Sequence, residues 1–279
     1  MIKPFQARED PVKVVQIQMN TQEDKAANLE TAESLINEAV AAERPDLIVL
    51  PEYYASLNGS PTEQQATGEA FPEGESYRLM SGLAAKHQVT IHAGSVVEKS
   101  GNRFYNTTVV FGAAGQELAR YRKIHLFDVV VPGGMRYGES ETVGRGEEIV
   151  TYEVGDVTVG CAICYDLRFP ELFRKLRDRG AEVIVLPAAF TLQTGKDHWE
   201  VLSRARAVET QTYFLATAQI GTHADGKKAC WGHTMAIDPW GHIVAQASDT
   251  VGYISARIDK GYIEQVRRNI PVADHHVIG

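Results

Sequence analysis

A thiol, a carboxylate and an ammonium stand in this chain where each could take part in covalent chemistry. Cys164 closes the apolar run Val157-Thr158-Val159-Gly160-Cys161-Ala162-Ile163 and is followed at once by Tyr165-Asp166-Leu167-Arg168-Phe169-Pro170-Glu171. The pattern predicts a buried strand that carries a thiol to its C-terminal tip, then a charged turn and a helix; ligands bind at such tips in open α/β sheets. A thiol there is a nucleophile if a base and an oxyanion stabiliser reach it. Glu52 follows the run Asp46-Leu47-Ile48-Val49-Leu50-Pro51 and is flanked by Tyr53 and Tyr54. A carboxylate just beyond a fully apolar strand loses hydration, which suits a general base; a helix cap or a surface ion pair would use the same residue type. Lys123, in Tyr121-Arg122-Lys123-Ile124-His125-Leu126-Phe127, breaks an alternating strand before an apolar stretch. A partly buried ammonium stabilises thiolates and oxyanions, whereas a solvated lysine on an edge strand does neither. Residue type and spacing leave both readings open at each position.

Cys161 and Cys164 also spell C-x-x-C, which invites a redox or zinc reading. Residues three apart on a strand face opposite sides, and Cys230, the one remaining cysteine, cannot complete a four-cysteine zinc site. Cys161 is expected to be a small core residue. There is no H-E-x-x-H, no G-x-G-x-x-G after a strand and no G-x-x-x-x-G-K-[ST], so neither a metal nor a nucleotide cofactor is expected. With 28 Lys and Arg against 36 Asp and Glu, the formal charge of −8 disfavours nucleic-acid binding. No apolar run approaches the ~18 residues of a membrane span. Residues 1–10 are polar, carry both charge signs and lack the apolar core of a signal peptide. Together with three cysteines, too few and odd in number for a disulfide framework, this predicts a reduced, cytoplasmic protein.

The elements that must position these groups alternate. Residues 12–19 read as a strand, 25–43 as a helix with Leu29, Ala32, Ile36, Ala39 and Val40 on one face, and 46–50 as a doubly covered strand. A helix over 76–88, a strand over 89–97 and a ribbon of two strands, 104–111 and 116–122, follow; residues 123–146 read as loop. The second half then repeats the first. Residues 157–163 resemble 12–18, Glu182-Val183-Ile184-Val185-Leu186-Pro187 echoes residues 46–51, 213–219 match 89–95, and the ribbon at 234–245 matches 108–119. Helices are expected at about 168–179 and 197–211. Four matched segments in one order predict an internal pseudo-two-fold repeat, two sheets packed face to face with helices outside: a four-layer α-β-β-α sandwich of the α/β class. No linker separates the halves, so residues 1–279 form a single domain.

Over nearly its whole length the chain resembles the nitrilase superfamily of carbon–nitrogen hydrolases. The matching pieces are Leu50-Pro51-Glu52, the run from Tyr121 through Asp128, the run from Cys164 through Glu171, Gly195-Lys196-Asp197-His198-Trp199-Glu200, the run from Arg204 through Gln211, Trp231-Gly232-His233-Thr234 and Asp238-Pro239-Trp240-Gly241. The resemblance implies the same four-layer fold, a Glu52-Lys123-Cys164 triad, a thioester on Cys164, an oxyanion held by Lys123 and the Tyr165 N–H, and no cofactor. It also implies a second glutamate, Glu139 in Gly138-Glu139-Ser140, that orients Lys123 or the substrate. Cys-Tyr-Asp resembles the amidase branches rather than the Cys-Trp-Glu of true nitrilases. The segments 189–195 and 204–211 look like the branch of deaminated-glutathione amidase and omega-amidase, which act on ω-amides of small dicarboxylic or keto acids.

The residues expected to face a small amide substrate are Tyr53, Tyr54, Tyr165, Arg168, Ala189 and Phe190. Arg168 has two readings by position: a cation for the substrate's free carboxylate, or a tie for the helix after Cys164. The chain departs from the branch's pattern at residues 129–137 and 221–229, loops expected to border the pocket, which leaves the substrate's identity open. Hydrolysis of N-carbamoyl compounds would use the same triad, and a non-catalytic scaffold would need none of it. The helices around 169–179 and 197–211 resemble those that pair across the family's dimer interface, so a homodimer or a larger homo-oligomer is expected.

Overall fold

The computed structural model describes residues 11–131 and 134–278; the readings that fall on residues 1–10, 132–133 and 279 lie outside them. The first half runs β1 (Val12–Gln18), α1 (Lys25–Glu43), β2 (Leu47–Val49), α2 (Pro61–Ala66), α3 (Glu75–His87), β3 (Thr90–Ser100), β4 (Arg103–Phe111), β5 (Glu117–Arg122) and a small hairpin of β6 (Asp128–Val130) and β7 (Arg136–Gly138). The second runs β8 (Thr151–Val154), β9 (Val157–Cys161), α4 (Pro170–Asp178), β10 (Val183–Ala188), α5 (Leu192–Thr210), β11 (Tyr213–Ala218), β12 (Ile220–His223), β13 (Lys228–Trp231), β14 (Met235–Ile237) and β15 (Ile243–Gln246). The closing β16 (Gly252–Ile258) and α6 (Lys260–Asn269) return to the first half.

Two six-stranded sheets result, ordered β16-β1-β2-β3-β4-β5 and β8-β9-β10-β11-β14-β15. In both, the outermost strand pairs antiparallel with the next, two parallel pairings follow, and two antiparallel ones finish the sheet. The repeat read from the apolar runs is therefore a repeat of topology. It omitted β8 and β16, whose half-exposed, mixed sequences carry a weaker signal than the central strands.

Alternation on β1 shows how the layers form. Val15 and Ile17 pack outward against Leu29, Ala32 and Ile36 of α1 and Met80 of α3, while Val12 and Val14 join the core between the sheets with Val159, Cys161 and Val185. α1 starts at Asp24, whose side chain accepts from the Ala27 N–H at 3.1 Å, and ends at Arg44 in the left-handed region. Toward the C-terminal ends of the strands the core becomes polar: Gln16 Nε2 donates to Thr217 Oγ1 across the sheets, and Gln219 Nε2 donates to the Glu52 carbonyl.

Four expectations need correction. β9 ends at Cys161, and Cys164 opens a 3-10 turn, Cys164–Arg168, so the thiol stands just past the strand. Helix α5 begins at Leu192, ahead of the expected start near residue 197, and includes Gly195; a Cβ there would lie 2.3 Å from Trp231 Cβ, so the glycine lets β13 approach the helix. Residues 123–146 hold the β6–β7 hairpin and a 3-10 turn, and residues 221–229 hold most of the β12–β13 ribbon. Among the described residues, no helix is long and apolar enough to cross a membrane.

Candidate active site

Glu52 sits in the turn after β2, Lys123 directly after β5, Cys164 after β9 and Glu139 in the turn after β7. All four line one cavity of about 130 Å³, a size that holds a small molecule. Lys123 is 2% exposed, and its Nζ lies 3.0 Å from Glu52 Oε1 and 2.8 Å from Glu139 Oε2. Both carboxylates are held from further sides. Asn106 Nδ2 donates to Glu52 Oε1 at 2.8 Å and to Glu139 Oε1 at 2.9 Å. The Ala189 N–H donates to Glu52 Oε2 at 2.7 Å, the Phe127 N–H to Glu139 Oε2 at 2.7 Å, and the Tyr53 hydroxyl to Glu139 Oε1 at 3.0 Å. A buried cation between two carboxylates, with the remaining lone pairs occupied, meets the condition under which buried ion pairs are tolerated.

The backbone brings these groups together at two strained or crowded points. Cys164 adopts φ +47 and Tyr53 φ +58, left-handed conformations that a non-glycine residue holds only where its surroundings fix it. Gly94 of β3 passes so close to the Glu52 turn that a Cβ there would meet the Pro51 carbonyl oxygen at 1.9 Å. The nucleophile turn is tied to the lysine segment by Asp166, which is fully buried. Its Oδ2 accepts from the Ile163 N–H at 2.9 Å and the Tyr121 hydroxyl at 2.7 Å; its Oδ1 accepts from the His125 N–H at 3.0 Å. The His125 ring stacks on Phe169 at 3.7 Å between centroids, closing the same knot from the helix side.

Electrostatics divides the roles. Burial pushes the Cys164 thiol well above its ordinary range, and the Glu52 carboxylate, which accepts its hydrogen bond, pushes the same way against the pull of Lys123. Burial works against the Lys123 charge, but Glu139 and Glu52 outweigh it and hold the ammonium above its ordinary value. Burial would raise Glu139; Lys123, Asn106 and the Phe127 N–H outweigh it and keep that carboxyl below its ordinary value. The arrangement sets a protonated thiol against the Glu52 side chain, beside a fixed positive charge. Such a site can add a thiol to a polarised carbonyl.

Six residues were expected at the substrate, and two, Tyr53 and Ala189, line the cavity. Tyr54 is 1% exposed and belongs to the core beneath α1 and α3. Phe190 is buried against the Trp199 ring at 5.2 Å. The Tyr165 ring turns away to Phe127 and Phe169, at 5.1 and 5.3 Å. Arg168, at the end of the 3-10 turn, points toward α5, its guanidinium 5.3 Å from the Phe190 ring centre and 3.3 Å from His198 Nδ1. The turn that exposes Cys164 carries Arg168 past the cavity wall, so its guanidinium does not line the cavity. Cys161 is buried between the sheets beneath the site, and all three cysteines are free. Among the described residues no group of His, Cys, Asp and Glu is arranged to hold a metal ion.

The sequence reading missed Asn106, which bridges the two carboxylates; the segments 129–137 and 221–229 border the cavity as expected, through Tyr137, His223 and Lys228, which were not singled out individually. Asn106 lies within a strand whose pattern offers no sign of its task; His223 and Lys228 lie in the segment 221–229, expected to border the pocket, and the β12–β13 pairing sets which of its side chains face inward.

Residues 12–268 match the family model described as carbon-nitrogen hydrolase. A deaminated glutathione amidase from Synechocystis sp. is 42% identical over 274 residues, covering 96% of this chain and 98% of that protein. Omega-amidase NIT2 from Danio rerio is 39% identical over 256 residues, covering 92% and 91%. The crystal structure of Saccharomyces cerevisiae Nit3, a member of branch 10 of the nitrilase superfamily, matches with a TM-score of 0.86 at 31% identity, covering 96% of this chain and 98% of that one.

Proposed function

This chain belongs to the carbon–nitrogen hydrolase family, and from that premise we propose that it is a cysteine amidase that releases ammonia from amides of small carboxylic acids, foremost ω-amides of dicarboxylic or keto acids. The observation that carries the reading is Lys123 clamped between Glu52 and Glu139 in the small cavity that also holds the protonated Cys164 thiol. The named activities of the Synechocystis and Danio relatives support the substrate class.

The amide carbonyl enters beside Cys164. As Sγ bonds to the carbonyl carbon, the thiol proton passes to Glu52 Oε. The oxyanion that forms is held by the Lys123 ammonium and the Tyr165 N–H, at the start of the 3-10 turn; each such donor contributes ~3–4 kcal/mol to the transition state. Glu52 then gives its proton to the leaving nitrogen, the C–N bond breaks, and ammonia departs from a thioester on Cys164. A water molecule loses a proton to Glu52 and adds to the thioester carbonyl. The C–S bond breaks, the acid is released, and the proton on Glu52 returns to Cys164. Glu139, Asn106 and the Ala189 N–H keep Lys123 and Glu52 in place while Glu52 cycles between its two protonation states.

A screen for ammonia release across ω-amides, neutral aliphatic amides, N-carbamoyl compounds and nitriles tests this reading, with carbon dioxide measured beside ammonia. Turnover of the ω-amides without carbon dioxide, abolished in Cys164→Ala, is expected. No ammonia from any amide, or turnover unchanged in Cys164→Ala, would remove the reading; carbon dioxide would move it to the N-carbamoyl class. The same reading includes a homodimer built on α4 and α5 in a reducing, cytoplasmic setting. Exposed Val201 and Val208 on α5 support that assembly, and a monomer by light scattering would rule it out.

A further inference from the structure

The cavity contains a second lysine with surroundings unlike those of Lys123. His223 and Lys228 are directly opposed in the β12–β13 ribbon, so their side chains share one face, and both line the cavity that holds Cys164. Lys228 is partly buried, and among the described residues it makes no ion pair. Its Nζ sits 4.7 Å from the centre of the Tyr137 ring, which lines the same wall. Burial lowers its pKa, and only Cys230 and the more distant Glu63 act the other way. His223 is 7% exposed and its Nδ1 has no hydrogen-bond partner. Burial, with the charge of Lys228, pushes its imidazole down to about 4, so at neutral pH the ring is uncharged and adds no second positive charge beside Lys228. Arg136, also on the cavity wall, is mostly exposed and already paired with Glu141 at 2.7 Å.

A partly desolvated ammonium without an ion pair is costly for a protein to maintain, and an anion seated against it in the cavity relieves that deficit. We infer that Lys228, with His223 beside it and Tyr137 beneath its ammonium, forms the subsite for a carboxylate at the end of the substrate remote from the scissile amide. This rests on the amidase reading of the same cavity and names the group that reads the substrate, in place of Arg168. A charged pocket discriminates strongly against a substrate lacking the matching group, because the desolvated lysine is then left unpaired. Amides with a free carboxylate are therefore preferred over neutral amides of equal length.

The test separates binding from turnover. In a Cys164→Ala background, calorimetry measures binding of succinamate, the monoamide of a four-carbon diacid, and of butyramide, its neutral counterpart. Adding Lys228→Met weakens succinamate by about 30-fold or more, as expected for removing one partner of a desolvated charge pair, and leaves butyramide within a few-fold. In the enzyme with Cys164 intact, Lys228→Met raises KM for succinamate with kcat little changed, and Lys228→Arg restores most of the loss. Circular dichroism and a thermal unfolding midpoint close to those of wild type verify that the variant is folded. Succinamate binding insensitive to Lys228→Met, equal losses for both ligands, or no binding of succinamate to Cys164→Ala would each overturn the subsite. If the binding difference holds while the wild-type chain releases no ammonia, the subsite stands and the amidase reading falls; turnover of both amides without discrimination gives the converse.

Discussion

The two sheets end around one cavity, and corresponding strand ends carry different residues. Past β9 stands Cys164; at the matching place past β1 stands Met19, buried and bridged to Gln219. Past β2 stands Glu52; at the matching end of β10 stands Ala188, followed by Ala189, whose N–H holds Glu52. After β5, the Lys123 N–H donates to the Asn106 carbonyl at 2.9 Å, and after β15 the Ala247 N–H donates to the Thr234 carbonyl at 2.8 Å. The backbone is repeated down to single hydrogen bonds, and the chemistry is not. The first half, with the segment that follows it, supplies the charged groups next to the thiol. The second supplies the thiol, a backbone donor and the far wall. A symmetric scaffold thus builds an asymmetric site, because each tip is occupied by a reactive side chain on one side only.

The comparison breaks most visibly at the reactive tips. Cys164→Ala is expected to reduce amide hydrolysis to background while leaving the fold intact, since the change removes one sulfur. Glu52→Gln, which keeps shape and removes the base, is expected to lower kcat by about 10²–10⁴-fold. Steady-state ammonia release measures both, and a Glu52→Gln enzyme within a few-fold of wild type would deny the first half its part in the chemistry.

A smaller effect is expected from the groups that hold the charges. Glu139→Gln leaves Lys123 with one carboxylate and is expected to cost about 10²-fold in kcat through misplacement of the ammonium. It also alters acid stability in a definite direction. The Glu139 pKa is depressed on folding, so its stabilisation is present above the ordinary carboxylate value of about 4.3 and is lost as pH falls toward the folded value. Urea unfolding between pH 5 and 3 should therefore show a shallower decline for Glu139→Gln than for wild type; parallel curves would contradict the clamp.

The mildest expected effect on chemistry comes from Asp166, which touches no reacting atom. Asp166→Ala leaves the Tyr121 hydroxyl and the Ile163 and His125 N–H groups without their partner, and is expected to destabilise the fold by about 3 kcal/mol. Once folded, it should lose less activity than Glu139→Gln; the reverse order would make Asp166 part of the chemistry rather than of the joint between halves.

The legible parts of this molecule were those with strong local signals. Four apolar runs in one order carried the repeat, and Leu50-Pro51-Glu52 and Cys164-Tyr165-Asp166 marked two tips. Tyr54, Tyr165 and Arg168 were close to those tips in sequence, and nearness was a poor guide: a left-handed residue at Tyr53 and another at Cys164 turn the chain so that adjacent side chains leave in different directions. Asn106 was invisible, and His223 and Lys228 were legible only as part of a segment at the pocket border, for the opposite reason. They reach the cavity through strand pairing with partners distant or locally unremarkable in sequence, and register across a ribbon leaves no motif.

Asp166 has one more consequence. The amide protons of Ile163 and His125, from the two sides of the active site, both end on its carboxylate. Neither can exchange with solvent unless that carboxylate is pulled away, so both should exchange in heavy water through the same rare opening. On the proposed mechanism, one opening that frees both amides would also part Cys164 from the lysine segment, so equal exchange rates at Ile163 and His125 would mark the closed state as the one in which the thiol has its partners.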